Sequence, residues 1–309
     1  MEIKEILLEK PWEEFLLRQP HTPFLQSWAW GEFQERLGLS HHRFGLYEGG
    51  SLGGVCLALV GRRKLGSFVY VPYGPVLRSF TQEKAQIFLR YLKDFAKEEG
   101  VDYLRIEPQW EPNGETASLL TEVGFRRAKA ATAQGGGGTT LLLDLVLPEE
   151  ELLMGMRKTT RYLVRRARER GVGVTRTFEP GEKVSERGER PSEPGEKVSE
   201  RGERPSDPEL MEEFHHLMDL TYRRQGFVPH SRRYLQTQFE VLAPRKMAEL
   251  SLAEYKGDVL AAEINFSYGD TVSYIHGASL RAEVPASYLL KWENIREGKK
   301  DGFRYYDFW

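Results

Sequence analysis

The chain carries the same succession of predicted elements twice, and this internal echo constrains its fold more than any other feature. In each half a long amphipathic helix leads through a glycine, Gly100 or Gly302, into a short strand that contains a carboxylate, Glu107 or Asp307. Helix, antiparallel strands, helix and strand in this order are typical of an α+β module. The sequence therefore predicts two tandem α+β domains, each a mixed, mostly antiparallel sheet flanked by helices.

The predicted boundary between the domains follows a strand near 139–146 that closes the first half, so the domains span residues 1–147 and 148–309. The second domain is interrupted by a tandem repeat, because EPGEKVSERGERPS occurs twice in succession over residues 179–206. The repeat is rich in Pro, Gly, Ser and charge, and it cannot bury enough apolar surface to offset the entropy of ordering. We expect a disordered insert there.

Composition argues against several classes of protein. A net charge of −2 over 309 residues does not suit a general nucleic-acid coat, so anion binding has to be local and no stable DNA binding is expected. The single cysteine, Cys56, cannot form a disulfide within the chain, and two adjacent His pairs with divergent side chains do not favour a metal site. No signal-peptide core follows Met1, and no apolar run nears about 18 residues. The expected location is cytoplasmic.

A strongly basic helix is predicted over residues 148–170. Pro148 is tolerated in a first turn, and the three glutamates after it place negative charge at the positive end of the helix dipole. At about 100° per residue, four arginines share the side opposite the apolar one: Arg157, Arg161, Arg165 and Arg168. This stripe is either a solvated helix face or a phosphate-binding surface for a nucleotide sugar or RNA.

Four phrases, in order along the chain, resemble the FemABX family of peptidoglycan bridge-forming aminoacyltransferases: PFLQSWAWGEFQERLG, YVPYGPVL, LLLDL followed by RKTTRYLVRRARERGVGV, and YLLKWENIREGKKDGFRYYDFW. The resemblance implies two GNAT-like domains, of the acyl-CoA N-acyltransferase fold. It implies that they move an amino acid from aminoacyl-tRNA to a stem-peptide amine of a peptidoglycan precursor. That precursor is UDP-linked or lipid-linked, and the lipid-linked form would bring the protein to the inner membrane surface. The chain is most similar to members without a coiled-coil arm.

The resemblance implies no cofactor, because aminoacyl-tRNA is itself the activated co-substrate. GNAT enzymes that use CoA wrap its pyrophosphate in a glycine-rich loop that begins with Gln or Arg. The nearest string in this chain, residues 134–139, fails that pattern at its last position.

The resemblance also implies roles for residues of the first domain. Glu107, followed by Pro108, matches an acidic residue near the acceptor amine, where it would position the amine or take its proton. The alternative is a strand-end carboxylate that faces water. Gln26 and Trp30 lie at a helix start that borders the precursor site in the family, or else in the core. Tyr73 begins a Tyr-Gly-Pro turn that lines the cleft or is structural.

In the second domain, Tyr274 and His276 in SYIHGAS match a region that contributes a site tyrosine, although alternating Tyr and His is also compatible with a sheet surface. Arg224 in TYRRQGF matches an arginine that contacts the phosphates of the precursor, or is an ordinary cation at a helix end. Arg161 and Arg165 would extend that phosphate-binding surface.

The chain departs from the family pattern at its C-terminal end. Members continue after the YDFW-type strand with a segment that bears a lysine near aromatic residues, and no matching position follows Trp309. The expectation is a C-terminally truncated second module with an unpaired sheet edge. Two alternatives to the transferase stay open. One is a non-catalytic relative that binds nucleotide-linked precursor or tRNA, and the other is a GNAT-like N-acyltransferase for another amine.

Overall fold

The computed structural model divides into two compact units, Met1–Thr140 and Leu141–Trp309. The described residues are 1–20, 23–64, 66–128, 139–177, 207–226 and 230–309. Within these ranges each unit contains one mixed sheet with helices, which confirms the predicted α+β class. The tandem repeat at 179–206 lies outside the described residues.

The first unit contains one sheet and four described helices. The strands are β1 (Glu2–Glu5), β2 (Ser40–Glu48), β3 (Ser51–Arg63), β4 (Gly66–Tyr73), β5 (Val76–Leu77) and β6 (Tyr103–Pro108), and the helices are α1 (Glu9–Leu16), α2 (Trp28–Arg36), α3 (Gln82–Glu98) and α4 (Gly114–Glu122). The sheet is ordered β1-β2-β3-β4-β6, with β5 beside β3. Neighbouring strands are antiparallel except β4 and β6, which run parallel. A 3-10 turn, Phe24–Gln26, precedes α2.

The helix α3 makes the crossover between the parallel strands of the first unit. It begins where the Thr81 side chain accepts a hydrogen bond from the backbone N–H of Lys84. It ends before Gly100, whose φ of 62° suits a glycine at a helix end. Its buried residues are all apolar and recur at helical spacing: Ala85, Phe88, Leu89, Leu92, Phe95 and Ala96.

The second unit repeats this plan. The strands are β7 (Leu142–Asp144), β8 (Gly173–Thr177), β9 (Ala248–Tyr255), β10 (Asp258–Tyr268), β11 (Thr271–Ser279) and β12 (Tyr305–Asp307), and the helices are α5 (Glu149–Gly155), α6 (Lys158–Glu169), α7 (Asp207–Gln225), α8 (Arg232–Leu242) and α9 (Ala286–Lys300). The sheet is ordered β7-β12-β11-β10-β9-β8. Here β11 and β12 run parallel, and the crossover between them is α9. Of the helices in the described ranges, none combines the length and apolar character that a bilayer crossing requires.

The prediction of one continuous basic helix over 148–170 is wrong. Two helices, α5 and α6, are separated by Met156 and Arg157, whose ψ angles of 154° and 144° are extended. The Arg161 guanidinium donates hydrogen bonds of 2.8 and 2.6 Å to the carbonyl oxygens of Met154 and Met156. These bonds satisfy carbonyl groups that the end of α5 leaves without helical partners.

The strand predicted near 139–146 pairs in the second unit, not in the first. Leu142–Asp144 forms β7 and runs antiparallel to β12, with Asp144 opposite Tyr305. Because β12 also pairs with β11, it is bonded on both sides, and the unpaired edge expected of a truncated module does not fall at β12. The division between Thr140 and Leu141 therefore precedes the predicted boundary after residue 147.

We expect the segment that follows β7 to hold the second unit together. Leu145 is 1% exposed and packs in the core with Trp292 and Ile295, whereas the next residue, Val146, is 68% exposed. Leu145→Ala should lower the free energy of unfolding by about 2–5 kcal/mol, because it removes buried methyl groups and leaves a cavity. Val146→Ala, the matched control, should change it by less than about 0.5 kcal/mol. Urea unfolding measures both, and equal losses would show that β7 and its flank are peripheral.

Candidate active site

In the first unit, a carboxylate is held at the carboxyl end of the parallel strand pair. Arg105 and Glu107 alternate on β6 with Leu104 and Ile106, which pack on the apolar core beneath α3. The side chains of Arg105 and Glu107 therefore lie on the face of the sheet opposite α3. The Tyr70 hydroxyl, on the neighbouring β4, donates a 2.7 Å hydrogen bond to Glu107 Oε2.

The Arg105 guanidinium engages the other oxygen of the same carboxylate. Its Nε donates to Glu107 Oε1 at 2.9 Å, and a second guanidinium nitrogen lies 2.7 Å from that oxygen. Both carboxylate oxygens thus have a fixed protein partner, while the Glu107 side chain stays 19% exposed. Such a carboxylate can orient an amine by accepting a hydrogen bond from it. Sequence reasoning predicted Glu107 at this strand end but did not identify Tyr70 or Arg105 as its partners.

Gln26 is fully buried and bridges two strands of the first sheet. Its Oε1 accepts a 2.7 Å hydrogen bond from the Leu57 backbone N–H, and its Nε2 donates to the carbonyl of Pro72. The bridge lies beside the predicted turn, since a Cβ on Gly74 would come within 2.7 Å of the Gln26 amide nitrogen. The observed role of Gln26 is to join the 3-10 turn to β3 and β4, and contact with a substrate stays a prediction.

Trp30 and Tyr73 occupy different environments. Trp30 is 2% exposed and packs edge-on against Phe24 and Phe33, with ring centroids 5.4 and 5.0 Å away. Tyr73 is half-buried at the end of β4, with a φ of 53°, opposite Pro108 of β6. Tyr73 therefore lies beside the end of the strand that carries Glu107, and Trp30 lies in the core.

In the second unit, a β-bulge interrupts β11 just beyond its last pair with β12. Asn265 of β10 is opposite Tyr274, but the next pair joins Ile264 to His276, so Ile275 is an extra residue. The parallel pairing of β11 with β12 ends one residue earlier, at Ser273. A bulge bends its strand and re-aims neighbouring side chains, and here it separates Tyr274 from His276.

Tyr274 lies against a buried ion pair that sequence reasoning missed. The Lys291 Nζ of α9 is 3.0 Å from the centroid of the Tyr274 ring and 2.8 Å from Oε2 of Glu263 on β10. Burial lowers the pKa of Lys291 to about 8 even though Glu263 opposes the shift, and burial likewise raises the pKa of the Glu263 carboxyl. One signal for the pair was present in the sequence: Glu263 is a lone charge inside the apolar run LAAEINF.

His276 contacts a different helix from Tyr274. Its Nε2 lies 2.7 Å from Oε1 of Gln238 on α8, and its ring packs edge-on to His230 and Phe266. Burial first, and then the neighbouring His230, lower the pKa of His276 to about 3. The structure therefore does not bring the two predicted residues of β11 together, since Tyr274 faces α9 and His276 faces α8.

The predicted phosphate-binding arginines are spread over two helices. Arg224, exposed near the end of α7, donates a 2.8 Å hydrogen bond to the carbonyl of Ser279 at the end of β11. Arg165 is exposed on α6 and lies 3.6 Å from Glu169, whereas Arg161 is bound to carbonyls of α5. Of these three, Arg161 has the clearest structural use. Over the described ranges, no group of three or more His, Cys, Asp and Glu side chains is arranged to hold a metal ion.

Two mixed sheets, each with one parallel strand pair joined by a crossover helix, define a tandem GNAT-fold protein. Residues 7–120 match the FemAB family, and residues 155–309 match the acetyltransferase (GNAT) domain. The GNAT match covers half of the chain, so the chain belongs to the GNAT domain family.

The chain is also similar to curated relatives and to solved structures over most of its length. A lipid II:glycine glycyltransferase of Staphylococcus epidermidis is 23% identical over 261 residues, which cover 82% of this chain and 56% of the relative. One of Staphylococcus aureus is 23% identical over 291 residues, covering 92% and 62%. The chain thus spans less than two thirds of the length of these relatives.

Two solved structures share the fold. The crystal structure of FemX superimposes with a TM-score of 0.78 at 18% sequence identity and covers 100% of this chain and 88% of its own. A tandem GNAT protein from the clavulanic acid biosynthesis pathway gives a TM-score of 0.56 at 11% identity, with coverage of 99% and 89%. At these identities the likeness concerns the fold.

The buried His276 should make the second unit sensitive to acid. The pKa of His276 is lower in the folded chain than the ordinary value of 6.5, so the unfolded chain binds the proton more readily. The stability associated with neutral His276 is present above pH 6.5 and is lost as the pH falls towards 3. The loss should reach at most about 1.4 kcal/mol per pH unit.

Urea unfolding between pH 7 and pH 5 checks this expectation. His276→Gln is the matched control, because an amide keeps a hydrogen-bonding group beside Gln238 but does not titrate. The variant should lose less stability on acidification than the wild type, with the neighbouring His230 still titrating in both. Parallel pH profiles for the two proteins would contradict the expectation.

Proposed function

We propose that this protein is an aminoacyltransferase that adds an amino acid from aminoacyl-tRNA to a stem-peptide amine of a peptidoglycan precursor. The observation that carries the proposal is the similarity to lipid II:glycine glycyltransferases over 82% of the chain. The FemAB match in the first unit and the GNAT match in the second support the same class of reaction.

The chemistry requires little covalent participation by the protein. The amine nitrogen attacks the ester carbonyl of the aminoacyl-tRNA, a C–N bond forms, and the C–O bond to the ribose breaks. The proton lost by the amine ends on the released ribose hydroxyl. Because the ester is already activated, the protein has mainly to orient the amine and stabilise the tetrahedral oxyanion.

Glu107 is the group we assign to the amine. Tyr70 and Arg105 hold its two oxygens in one orientation, so it can accept a hydrogen bond from the amine without first being immobilised. The same carboxylate can relay the departing proton. We assign Tyr274 to the second unit's part of the reaction, beside the bulge of β11. Tyr73, at the strand end next to Glu107, would border the acceptor.

Basic residues of the second unit suit the phosphate groups of the precursor or of the tRNA donor. Arg157 and Arg165 are exposed, and Arg224 carries an exposed guanidinium at the end of α7. Exposed arginines bind phosphate by charge and by bidentate hydrogen bonds. The acceptor is a UDP-linked or lipid-linked precursor, and a lipid-linked one would place the reaction at a membrane surface.

A transfer assay tests the proposal. The protein is incubated with a pool of charged tRNA and either UDP-linked or lipid-linked precursor, and mass spectrometry detects precursor that has gained one amino-acid residue. Glu107→Gln should reduce the rate roughly 100-fold, the lower range for loss of a positioned acid–base group. Glu111→Gln, an exposed carboxylate in the following loop, should transfer at the wild-type rate.

The assay separates the alternatives. Ribonuclease treatment of the tRNA pool should abolish transfer. Acetylated product from acetyl-CoA would instead identify an N-acyltransferase for another donor, and precursor binding without transfer would identify a non-catalytic relative.

A salt titration tests the basic surface separately. Arg157→Gln combined with Arg165→Gln should weaken tRNA binding and make the logarithm of the affinity fall less steeply with the logarithm of salt concentration. Arg161 is left intact, because it donates to carbonyl groups of α5 and its loss would disturb the fold. Arg18→Gln with Arg90→Gln, two exposed arginines of the first unit, is the matched control. An unchanged salt slope would show that Arg157 and Arg165 do not bind the tRNA.

A further inference from the structure

The two crossover helices provide an internal comparison. In the first unit, α3 covers its parallel strands with buried residues that are all apolar. In the second unit, α9 occupies the equivalent place in the topology but carries Lys291 and Asn294 against the sheet. The fold therefore does not require an ion pair at this position. Burying an ion pair carries a desolvation penalty that apolar packing avoids, so fold stability does not explain why the pair is present.

The ion pair has several buried hydrogen-bonding partners. Lys291 Nζ contacts Glu263 Oε2 at 2.8 Å and donates to the Tyr306 hydroxyl at 3.3 Å. Asn294 Nδ2 donates to the same Glu263 oxygen at 2.8 Å, and Glu263 is only 5% exposed. The ammonium also lies over the face of the Tyr274 ring, 3.0 Å from its centroid, which is nearer than the Tyr306 and Phe308 rings at 5.5 and 6.0 Å. A desolvated cation over an aromatic face attracts the ring, so the pair fixes the plane of Tyr274.

A glycine fixes the other end of the same side chain. A Cβ built on Gly277 would lie 2.7 Å from the ring carbons Cε2 and Cζ of Tyr274 and closer still to its hydroxyl oxygen. Gly277 is not among the glycines with positive φ, so its backbone conformation does not demand glycine. Glycine within a strand often marks the close approach of another group. Here that group is the tip of Tyr274, three residues earlier.

These contacts converge on the Tyr274 side chain. Lys291 holds the ring face, Gly277 leaves room for the hydroxyl, and the bulge at Ile275 sets the strand direction just beyond the end of the β12 pairing. We propose that Lys291, Glu263 and Gly277 are positioning residues that place the Tyr274 hydroxyl for the transfer reaction. The inference rests on the proposed function, in which Tyr274 belongs to the reacting site.

Two independent changes displace Tyr274 without altering it. Glu263→Gln with Lys291→Met removes both charges but keeps an acceptor for Asn294 and a side chain of similar length. Gly277→Ala pushes on the hydroxyl end and leaves the ion pair intact. Because a displacement near 1 Å can cost on the order of 100-fold, each should lower kcat at least roughly tenfold, with KM near the wild-type value. Asp94→Asn with Lys97→Met removes an exposed 3.0 Å ion pair on α3 and is the matched control.

The decisive measurement is the same comparison made in a Tyr274→Phe background. If the three residues act through the hydroxyl, neither change should lower kcat further once that hydroxyl is gone. Lys291→Arg, with Glu263 unchanged, should keep part of the activity that the double variant loses, because it retains a cation beside the ring. Full losses in the Tyr274→Phe background, or unchanged kcat in the parent, would overturn the proposal. Thermal unfolding of every variant identifies activity lost through unfolding.

An NMR readout stands apart from activity. The Lys291 Cε methylene protons should be shifted upfield by the Tyr274 ring in the wild type, and Gly277→Ala should reduce that shift. If the wild-type chain transfers nothing from any charged tRNA, the proposed function fails, and the NMR comparison still decides the placement of Tyr274. A Lys291 signal that Gly277→Ala leaves in place would show that Gly277 does not position the ring.

Discussion

The pairing of two parallel strands is the constraint on which each unit depends. Parallel neighbours cannot be joined by a hairpin, so the chain must cross over through a helix that covers one face of the sheet. In the first unit this pair is β4 and β6, and in the second it is β11 and β12. The carboxyl ends of the paired strands come together at one edge as a result. Glu107 lies at that edge in one unit, and Tyr274 lies just past it in the other.

The two units share a fold but place their charged side chains on different faces of the sheet. The first unit keeps its crossover interface apolar and places the Tyr70, Arg105 and Glu107 cluster on the opposite face of the sheet. The second unit buries charge beneath its crossover helix, where Glu263 and Lys291 meet. A shared fold therefore says little about where chemistry can occur, and the position of buried charge says more.

Elements set by local pattern were predictable from the sequence. The amphipathic spacing of α3 and the glycine after it gave the crossover helix, and the recurrence of that pattern before Gly302 gave the second domain. Features set by distant partners were not. The segment that forms β7 has the sequence of a strand, but nothing in it indicates that it pairs with β12. The helix break at Met156 is accompanied by a hydrogen bond from the Arg161 guanidinium to the Met156 carbonyl, which the sequence does not indicate.

In the candidate site, too, residues with a local sequence signal were predictable and those that depend on distant partners were not. Glu107 was found because a carboxylate at a strand end is a local signal, whereas its partners Tyr70 and Arg105 depend on strand register. The burial of Lys291 could not be predicted, because its position in the sequence of α9 resembles that of any other lysine on a helix. Only the fold brings it to Glu263 and Tyr274. The side-chain amide of Gln26 bonds to backbone groups of Leu57 and Pro72, and the sequence alone gives no sign of these partners.

The pairing of β7 with β12 also bears on how the second unit acquires its structure during synthesis. Among the described elements of that unit the ribosome releases β7 first, yet its partner β12 is the last of the described strands to be made. Until β12 emerges, β7 has no strand to join, and contacts of such long sequence separation form slowly. The strand β7 therefore joins the edge of the sheet only after β8 to β12 have been translated.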